Sequence, residues 1–314
     1  MTTALTFPGQ GSQAVGMGKA LAESYPEARA VFDEVDDALG EKLSAIIFEG
    51  PIETLTLTAN AQPALMAVSL AVVRVLEAEA GLDLARDAQF VAGHSLGEYS
   101  ALAAAGSFSL ADTARLLRQR GEAMQKAVPV GQGAMAALLG LDYETGVAVA
   151  AEAAGANDVC QIANDNGGGQ VVASGHKAAV ERAVEIAKAK GARRALMLPV
   201  SAPFHCALMQ PAADAMREAL ASVTVRAPKV PLVANVLAAP ISEPDEIRNR
   251  LVEQVTGTVR WRESVAYMAS EGVTTFYELG AGKVLSGLVK RIAEGASGIA
   301  IGQPVDIETF KSRP

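Results

Sequence analysis

Residues 89–98 read Gln89-Phe90-Val91-Ala92-Gly93-His94-Ser95-Leu96-Gly97-Glu98, and this stretch decides the fold. An apolar run ends in Gly-His-Ser-Leu-Gly, and an alanine-rich segment follows it. This order predicts a strand, a sharp turn and a helix with Ser95 at the apex, which fits the G-x-S-x-G nucleophile elbow. The two glycines would let the strand and the helix approach closely while Ser95 adopts a strained backbone. We predict a nucleophilic Ser95, against the simpler interpretation of a glycine-flanked turn that only packs a helix on a sheet.

The composition excludes several classes of protein. The chain has 314 residues, of which 50% are hydrophobic, so it can bury a large core in one big domain or two. A formal net charge of −8 without a long basic run disfavours nucleic-acid binding. The two cysteines, Cys160 and Cys206, exclude a disulfide framework and a cysteine-rich zinc site, and they suit a reducing cytosol.

The N-terminus and the apolar stretches argue against a membrane or secreted protein. Residues 1–8 lack the basic segment and the long apolar core of a signal peptide. The most apolar stretch, residues 64–76, is too short to span a bilayer. We therefore expect a cytoplasmic protein that does not bind membranes.

Strand and helix patterns alternate along most of the chain. Strands are predicted at 5–7, 88–93, 230–236, 274–279 and 298–301, and helices at 17–24, 27–39, 62–79, 109–127, 244–255, 261–271 and 283–293, with a further helix after Pro211. Asn60 is expected to cap the 62–79 helix, with Pro63 in its first turn, and residues 309–314 to form a polar tail. The alternation predicts an α/β fold with a mostly parallel sheet covered on both faces.

The middle of the chain has a different pattern. Strands at 134–141, 159–163, 170–174 and 194–200 alternate with helices at 143–154 and 176–190. The order β-α-β-β-α-β is that of a ferredoxin-like unit. We therefore predict a small domain at 130–197, inserted into a large domain made of residues 1–129 and 198–314.

A nucleophilic serine needs a base, and the chain has three histidines. His94 is adjacent to Ser95, and neighbouring side chains diverge, while His176 lies in the inserted unit. His205 follows an apolar strand, where α/β folds place functional loops, so elimination favours it over a structural role in capping the next helix. No acid between Ser95 and His205 stands at the end of a large-domain strand, so a group other than a carboxylate could orient the imidazole.

Two backbone N–H groups are candidates for an oxyanion hole. Leu96 begins the helix after the elbow, so its N–H would point at a developing negative charge. The stretch Gly9-Gln10-Gly11 follows the first strand and would bring the Gln10 N–H beside the elbow. The same glycines match a dinucleotide fingerprint, but that interpretation needs a second strand where residues 27–39 have a helical pattern.

The helix at 109–127 carries candidate cations. Arg115 points away from its apolar stripe, whereas Arg118 and Arg120 flank that stripe on opposite sides. Either could extend a guanidinium into a cleft, and either could instead be a solvated surface residue. Cys206 adjoins His205, but neighbours rarely reach each other, so we expect a small buried filler rather than a catalytic thiol.

Together these motifs resemble the malonyl-CoA:acyl carrier protein transacylases, the acyltransferase family of fatty-acid and polyketide synthesis. Six motifs carry the resemblance in the family's order over nearly the whole chain. They are Phe7-Pro-Gly-Gln10-Gly-Ser-Gln13, Thr58-Ala-Asn-Ala-Gln62-Pro-Ala-Leu65, Gly93-His-Ser95-Leu-Gly97-Glu98, Arg120-Gly-Glu-Ala-Met124, Pro203-Phe-His205 and Glu278-Leu-Gly-Ala-Gly282-Lys283. The family implies an α/β-hydrolase-like large domain with a ferredoxin-like insert. Ala281 departs from the pattern, where proline is usual.

The resemblance implies roles for nine residues. Ser95 would be the nucleophile, His205 its base, and the main-chain carbonyl of Gln254 the group that orients the imidazole. Backbone N–H groups of Gln10 and Leu96 would form the oxyanion hole. The resemblance also selects Arg120 over Arg118 as the residue that binds the malonyl carboxylate. The remaining three residues, Gln62, Asn164 and Phe204, match positions near the family's cleft. A bulky residue such as Phe204 before the histidine resembles the malonyl-selective members of the family.

The reaction implied is a ping-pong transfer of malonyl from malonyl-CoA to acyl carrier protein through a malonyl-serine ester. It requires no metal and no redox cofactor, and it would supply fatty-acid or polyketide synthesis. We expect a monomer. The alternatives are a serine hydrolase or thioesterase, and a non-catalytic scaffold.

Overall fold

The computed structural model describes residues 2–200 and 202–312. Its strands are β1 Thr2–Phe7, β2 Phe90–Gly93, β3 Gly133–Leu139, β4 Cys160–Asp165, β5 Gln170–His176, β6 Arg194–Met197, β7 Leu232–Ala234, β8 Ala239–Ile241, β9 Val273–Leu279 and β10 Ser297–Ile301. Its α-helices are α1 Lys19–Ser24, α2 Pro26–Leu39, α3 Leu43–Glu49, α4 Ile52–Thr56, α5 Thr58–Ala80, α6 Leu84–Asp87, α7 Gly97–Ala104, α8 Leu110–Ala127, α9 Tyr143–Ala154, α10 Lys177–Ala189, α11 Gln210–Ala221, α12 Pro244–Gln254, α13 Trp261–Ser270, α14 Val284–Ile292 and α15 Pro304–Lys311.

The larger sheet has six strands in the order β10-β9-β1-β2-β7-β8. Neighbouring strands are parallel except for β8, which pairs with β7 as an antiparallel edge hairpin. Leu5 and Val91 belong to one hydrophobic cluster, whereas Ala4 and Phe90 belong to another. Successive side chains therefore bury into opposite faces of the sheet. The predicted α/β fold with a mostly parallel sheet is confirmed.

Three strands of this sheet bring distant loops together. Phe7 of β1 pairs with Gly93 of β2, and Val91 of β2 pairs with Leu232 of β7. Because parallel strands end at the same edge of a sheet, the loops after β1 and β7 lie on either side of the turn after β2. This topology places residues 8–11 and Asn235 next to Ser95.

The smaller sheet has four antiparallel strands in the order β4-β5-β3-β6. It buries its own hydrophobic cluster against α9 and α10, including Leu138, Val149, Val171 and Ala183. This is the predicted ferredoxin-like order of elements. An isolated parallel bridge between Asn164 and Val259 joins the sheet to the rest of the protein. The proposed domain boundaries at 129/130 and 197/198 stay a prediction.

Helix α5 is the central helix of the larger part. Its 23 residues would be long and apolar enough to cross a membrane, but 83% of its most apolar window is buried inside the protein, as in a core helix. Helix α5 is longer than the apolar stretch at 64–76 in the sequence, because it begins at Thr58. The prediction for Asn60 was wrong: it lies inside the helix, where its Nδ2 donates to Thr54 O at 2.8 Å. Pro63 also lies within the helix rather than in its first turn.

The other differences concern short elements. The sequence patterns did not predict α3, α4 or β8, and β6 ends at Met197 rather than at 200. The predicted polar tail is wrong for residues 309–311, which end α15, while residues 313–314 lie outside the described residues. A capping box between Gln303 and Asp306 begins α15, and Ile307 and Phe310 bury its inner face.

Candidate active site

The turn between β2 and α7 holds Ser95 with a φ of 53°, in the left-handed region. A Cβ on Gly93 would lie 1.9 Å from the Gly97 carbonyl, and a Cβ on Gly97 would lie 2.2 Å from the Phe7 oxygen. Neither position has room for a side chain. Asn235 holds the turn, because its Oδ1 accepts the Ser95 N–H at 2.8 Å and its Nδ2 donates to Gly93 O at 2.7 Å. The sequence prediction of a strained, glycine-flanked serine agrees with this geometry.

His205 lies beside the serine. Its Nε2 is 2.7 Å from the Ser95 Oγ, and its own φ of 57° also falls in the left-handed region. Its Nδ1 lies 2.8 Å from the Gln254 main-chain oxygen and 3.2 Å from that of Gly257. Because both partners are carbonyl oxygens, Nδ1 carries the proton and Nε2 is free to accept the one on Ser95. Within the described residues, no carboxylate contacts the imidazole.

The charge state of His205 suits a base. Burial, and after it the neighbouring Arg120 guanidinium, lowers the pKa of His205 to about 3. The imidazole is therefore neutral at pH 7, as proton acceptance requires.

The other two histidines have different surroundings. His94 Nε2 is 2.9 Å from Asn166 Oδ1, and the His94 ring packs 5.8 Å from the Trp261 ring. His176 Nδ1 accepts the Val159 N–H at 3.0 Å in the small sheet. The structure thus brings His205 to the serine, in agreement with the elimination made from the sequence.

Arg120 of α8 is only 1% exposed, and it reaches the same place. Its Nη2 donates to Ser95 Oγ at 3.2 Å and to Gln254 Oε1 at 2.7 Å, and its Nη1 donates to Gln62 Oε1 at 2.7 Å. The guanidinium carbon lies 5.7 Å from the centre of the Tyr99 ring, within range of a cation–π contact. A permanent positive charge on a buried side chain therefore lies against the serine.

Arg118 lies elsewhere. Its guanidinium is bound to Glu41 and Asn60 at the protein surface, away from Ser95. The helical wheel left Arg118 and Arg120 as equal candidates, and the structure places only Arg120 at the site.

Two residues at the site were missed from the sequence, Glu98 and Asn235. Glu98 follows the elbow on α7 and is 1% exposed, with its carboxylate accepting from Gln254 Nε2 and, at 3.3 Å, from the Asn235 N–H. Burial raises the pKa of Glu98 to about 7, although Gln254, Asn235 and Arg120 oppose the shift. Asn235 follows β7, and the end of a strand neighbouring β2 is the signal that could have identified it.

The predicted oxyanion donors flank Ser95 on two sides. Leu96 is the N-cap of α7, and the loop after β1 holds Gln10. Among the described residues, neither main-chain N–H donates to a protein acceptor. The Gln10 side chain accepts from Thr58 Oγ1 at 2.8 Å, which fixes the loop against α5. A Cβ on Gly9 would lie 2.7 Å from the His94 oxygen, so a glycine there allows the two loops to approach.

A cleft of about 380 Å³ opens onto the Ser95–His205 pair. Its walls come from both parts of the protein and include the predicted residues Gln10, Asn164 and Phe204. Gln62 does not line this cleft, because it is buried behind Arg120. No group of three or more His, Cys, Asp or Glu side chains in the described residues is arranged to hold a metal ion.

Cys206 behaves as a buried filler. It is fully buried, and its Sγ lies 3.2 Å from Pro203 O. Burial raises the pKa of the Cys206 thiol, which disfavours a reactive thiolate.

The comparisons with known proteins agree with this geometry. A model of the acyl transferase domain matches residues 5–301. The chain therefore belongs to the acyl transferase domain family. A malonyl CoA-acyl carrier protein transacylase of Escherichia coli strain K12 is 49% identical over 301 residues, which cover 96% of each chain.

Solved structures give the same result. An acyl-carrier-protein S-malonyltransferase from Bartonella henselae is 60% identical, with a TM-score of 0.96 and 98% coverage of both chains. A malonyl-transacylase in complex with its type II polyketide acyl carrier protein is 42% identical, with a TM-score of 0.95 and 99% coverage of both chains.

Proposed function

We propose that the protein transfers a malonyl group from malonyl-CoA to the phosphopantetheine thiol of an acyl carrier protein, through an ester on Ser95. The observation that carries this proposal is the buried Arg120 guanidinium, 3.2 Å from the same hydroxyl that lies 2.7 Å from His205. A nucleophile beside a buried cation suits an acyl group that ends in a carboxylate. The names of the relatives, malonyl transacylases and malonyltransferases, support the same substrate.

The first half-reaction uses the Ser95–His205 pair. His205 Nε2 takes the hydroxyl proton as Ser95 Oγ attacks the thioester carbonyl, and the Gln254 oxygen stabilises the imidazolium through Nδ1–H. The N–H groups of Gln10 and Leu96 would receive the oxyanion. The intermediate then collapses, the C–S bond breaks, His205 returns its proton to the sulfur, and coenzyme A leaves malonyl-Ser95 behind.

Arg120 provides the selectivity. Its Nη groups donate to the Gln62 and Gln254 side-chain oxygens, and among the described residues its buried Nε has no acceptor. A malonyl carboxylate offers two further acceptor oxygens, whereas an acetyl group leaves the cation as it was. Phe204 lines the cleft beside His205, and its bulk would exclude a branch at the second carbon of the acyl group.

The second half-reaction needs a carrier protein, and carriers of this kind are acidic. Six exposed cations are candidates for the docking patch: Lys188, Lys190, Arg193, Arg194, Lys290 and Arg291. Lys188 and Lys190 form ion pairs with Glu185 and Glu152. Arg291 lies beside Gly168 in the turn at 167–169, and Arg193 lies beside Gly140, whose N–H donates to Gly169 O of the same turn at 2.7 Å. This turn follows the strand that brings Asn164 to the cleft. These two arginines are therefore the better candidates for docking.

Charge reversal tests the docking patch. Arg193→Glu and Arg291→Glu should raise the KM for the carrier at low salt and leave the KM for malonyl-CoA unchanged. Lys188→Glu serves as the control, because its ammonium is already paired. An unchanged carrier KM in both arginine variants would discard the patch.

Two other functions make different predictions. A serine hydrolase would use a carboxylate to orient His205, but two main-chain carbonyls occupy its Nδ1 side. A non-catalytic scaffold would have no use for a serine, a neutral histidine and a buried arginine in mutual contact. Transfer requires no metal or redox cofactor, and we place it in the cytoplasm of the cell, in a monomer that supplies fatty-acid synthesis.

A rate measurement decides among the three functions. The purified protein is incubated with malonyl-CoA and holo acyl carrier protein, with the apo carrier and the Ser95→Ala variant as controls. We expect malonylated holo carrier, parallel lines in double-reciprocal plots and no product in either control. Release of free malonate at the same rate without carrier would indicate a hydrolase, and the absence of any turnover would indicate a scaffold.

A further inference from the structure

Glu98 is a buried carboxyl group that the proposed mechanism does not use. It lies on α7, directly after the elbow, and it is 1% exposed. Two neutral groups donate to it, the Gln254 side-chain amide from α12 and the Asn235 main-chain N–H after β7. The titratable groups that face it are Arg120 from α8 and Tyr99 from its own helix. A buried carboxylate with so few donors calls for a physical explanation.

One amide group joins Glu98 to the substrate-binding cation. Gln254 Nε2 donates to the Glu98 carboxylate and also to Ser95 O at 2.9 Å, while Gln254 Oε1 accepts from Arg120 Nη2 at 2.7 Å. The main-chain oxygen of the same Gln254 accepts from His205. The Arg120 guanidinium and the Glu98 carboxylate therefore contact the oxygen and the nitrogen of the same Gln254 side-chain amide, inside the site.

We propose that Glu98 is the internal counter-ion of Arg120 in the empty site and takes up a proton from water when a malonyl carboxylate binds to that arginine. This inference rests on the malonyl transfer proposed above. Arg120 remains charged throughout, and Tyr99 remains neutral because burial raises its pKa. Among the described residues, Glu98 is then the only group facing this cation whose charge changes near neutral pH.

The electrostatic reason is that two carboxylates cannot both be neutralised by one guanidinium. Burial already raises the pKa of Glu98 to about 7, although the Arg120 guanidinium opposes that shift. A second anion on Arg120 weakens that attraction and adds a like charge, so the pKa of Glu98 rises further. The protonated carboxyl keeps an acceptor oxygen for the Gln254 amide, so the contact that positions Gln254 survives the change.

Proton uptake by the wild-type protein is the most direct test. The protein is mixed with malonyl-CoA in weakly buffered solution at pH 7 with a pH indicator, and the acylation of Ser95 is followed in parallel with radiolabelled malonyl-CoA. Forming the ester and releasing the coenzyme A thiol is itself neutral in protons near this pH. We expect an uptake of about half a proton per labelled site at pH 7, since the empty site is then about half ionised. No uptake is expected with acetyl-CoA.

The Glu98→Gln variant supplies a second readout. Glutamine mimics the protonated carboxyl, so this variant should take up no proton. In the wild type, kcat/KM for malonyl-CoA should fall by roughly fivefold between pH 7 and pH 9, because a coupling of one pKa unit is a tenfold change in affinity and half of the Glu98 groups are already ionised at pH 7. That fall should be absent from Glu98→Gln and from acetyl transfer by the wild type. A residue with only a structural role would change the rates without removing their dependence on pH.

The outcomes separate this inference from the function on which it rests. If Ser95 is not labelled by malonyl-CoA, the proposed function itself fails. If Ser95 is labelled without proton uptake, or if Glu98→Gln keeps the wild-type fall between pH 7 and pH 9, the role of Glu98 is wrong. Reaction of Ser95 with a neutral fluorophosphonate reports whether the Glu98→Gln variant has folded. If the variant does not fold, the proton uptake of the wild-type protein still tests the role of Glu98.

Discussion

Arg120 places a positive charge 3.2 Å from the Ser95 hydroxyl, on a side chain that is 1% exposed. A charge in such a place is costly unless it is paired. The guanidinium contacts two neutral glutamines, and one of them, Gln254, also contacts Glu98. The same charge lowers the pKa of His205, second to burial, so that the base beside it stays neutral. At the scale of single residues, we propose that this one cation selects the substrate, and it adds to burial in keeping the base neutral.

Replacing this cation should affect malonyl and acetyl groups differently. Arg120→Ala is expected to lower kcat/KM for malonyl-CoA by roughly 100-fold or more, because losing one partner of a buried ion pair costs about 3 to 5 kcal/mol. Acetyl transfer should fall far less. The control is Arg118→Ala on the same helix, which should stay within about threefold of the wild type since that side chain binds Glu41 at the surface. Equal losses of kcat/KM for malonyl and acetyl transfer would show that Arg120 does not select the malonyl group.

The lowered pKa of His205 predicts an unusual pH dependence. The rate of Ser95 labelling by a neutral fluorophosphonate should be nearly constant from pH 7 to pH 5, whereas a histidine with its ordinary pKa would lose roughly thirtyfold. The folded protein binds a proton at His205 only near pH 3, but the unfolded chain binds one below about 6.5. Stability therefore decreases as pH falls through this window, and circular dichroism must accompany the labelling. A thirtyfold loss at pH 5 in folded protein would contradict this assignment.

The sequence could identify part of this site. Ser95 and His205 carry local signals, a glycine-flanked serine and a histidine after an apolar strand. Glu98 and Asn235 could not be assigned in this way, because their contacts are distant in sequence. Asn235 and Glu98 are 137 positions apart, and Gln254 and Glu98 are 156 positions apart. The choice between Arg118 and Arg120 also needed three dimensions or the family resemblance, since both flank the apolar stripe of α8.

The elbow is the element that unites these residues. Strand β2 ends at Gly93, α7 begins at Gly97, and the backbone atoms of β1 and α7 fill the space where side chains would stand. The long, strongly periodic elements were predictable from the sequence, as the bounds of α2 and α8 show. Short elements such as α4 and β8 were not, because five or fewer residues carry too little pattern and depend on the packing around them.

Substitutions in this element test its steric basis. Gly93→Ala and Gly97→Ala should each lower the free energy of unfolding by more than about 3 kcal/mol, or prevent folding, since the new Cβ meets backbone atoms that cannot move alone. Gly287→Ala, inside α14 with open space around its Cβ, is the control and should stabilise the protein by up to about 1 kcal/mol. Urea denaturation provides the measurement. Near-neutral effects of both elbow substitutions would contradict the close approach of β2 and α7.

At the scale of the whole molecule, two sheets enclose one cleft; Met135 and Val172 of the small sheet belong to the main hydrophobic cluster, while the other face of that sheet has a cluster of its own. The large sheet supplies Ser95 and the loop of Gln10, whereas the small sheet supplies Met135 and Asn164. The sequence predicted this arrangement through the change from parallel βα alternation to the ferredoxin-like order. It did not predict how the two parts meet, because that depends on contacts such as the bridge between Asn164 and Val259.

The central claim is that Ser95 carries the malonyl group between two thiols. It is tested most directly by mixing the protein with excess malonyl-CoA, quenching within seconds and measuring the mass of the intact protein and of its peptides. We predict one malonyl group, located on Ser95, absent from Ser95→Ala and removed by holo acyl carrier protein much faster than by water. Formation of malonylated carrier without this intermediate, or a malonyl group on another residue, would contradict the account.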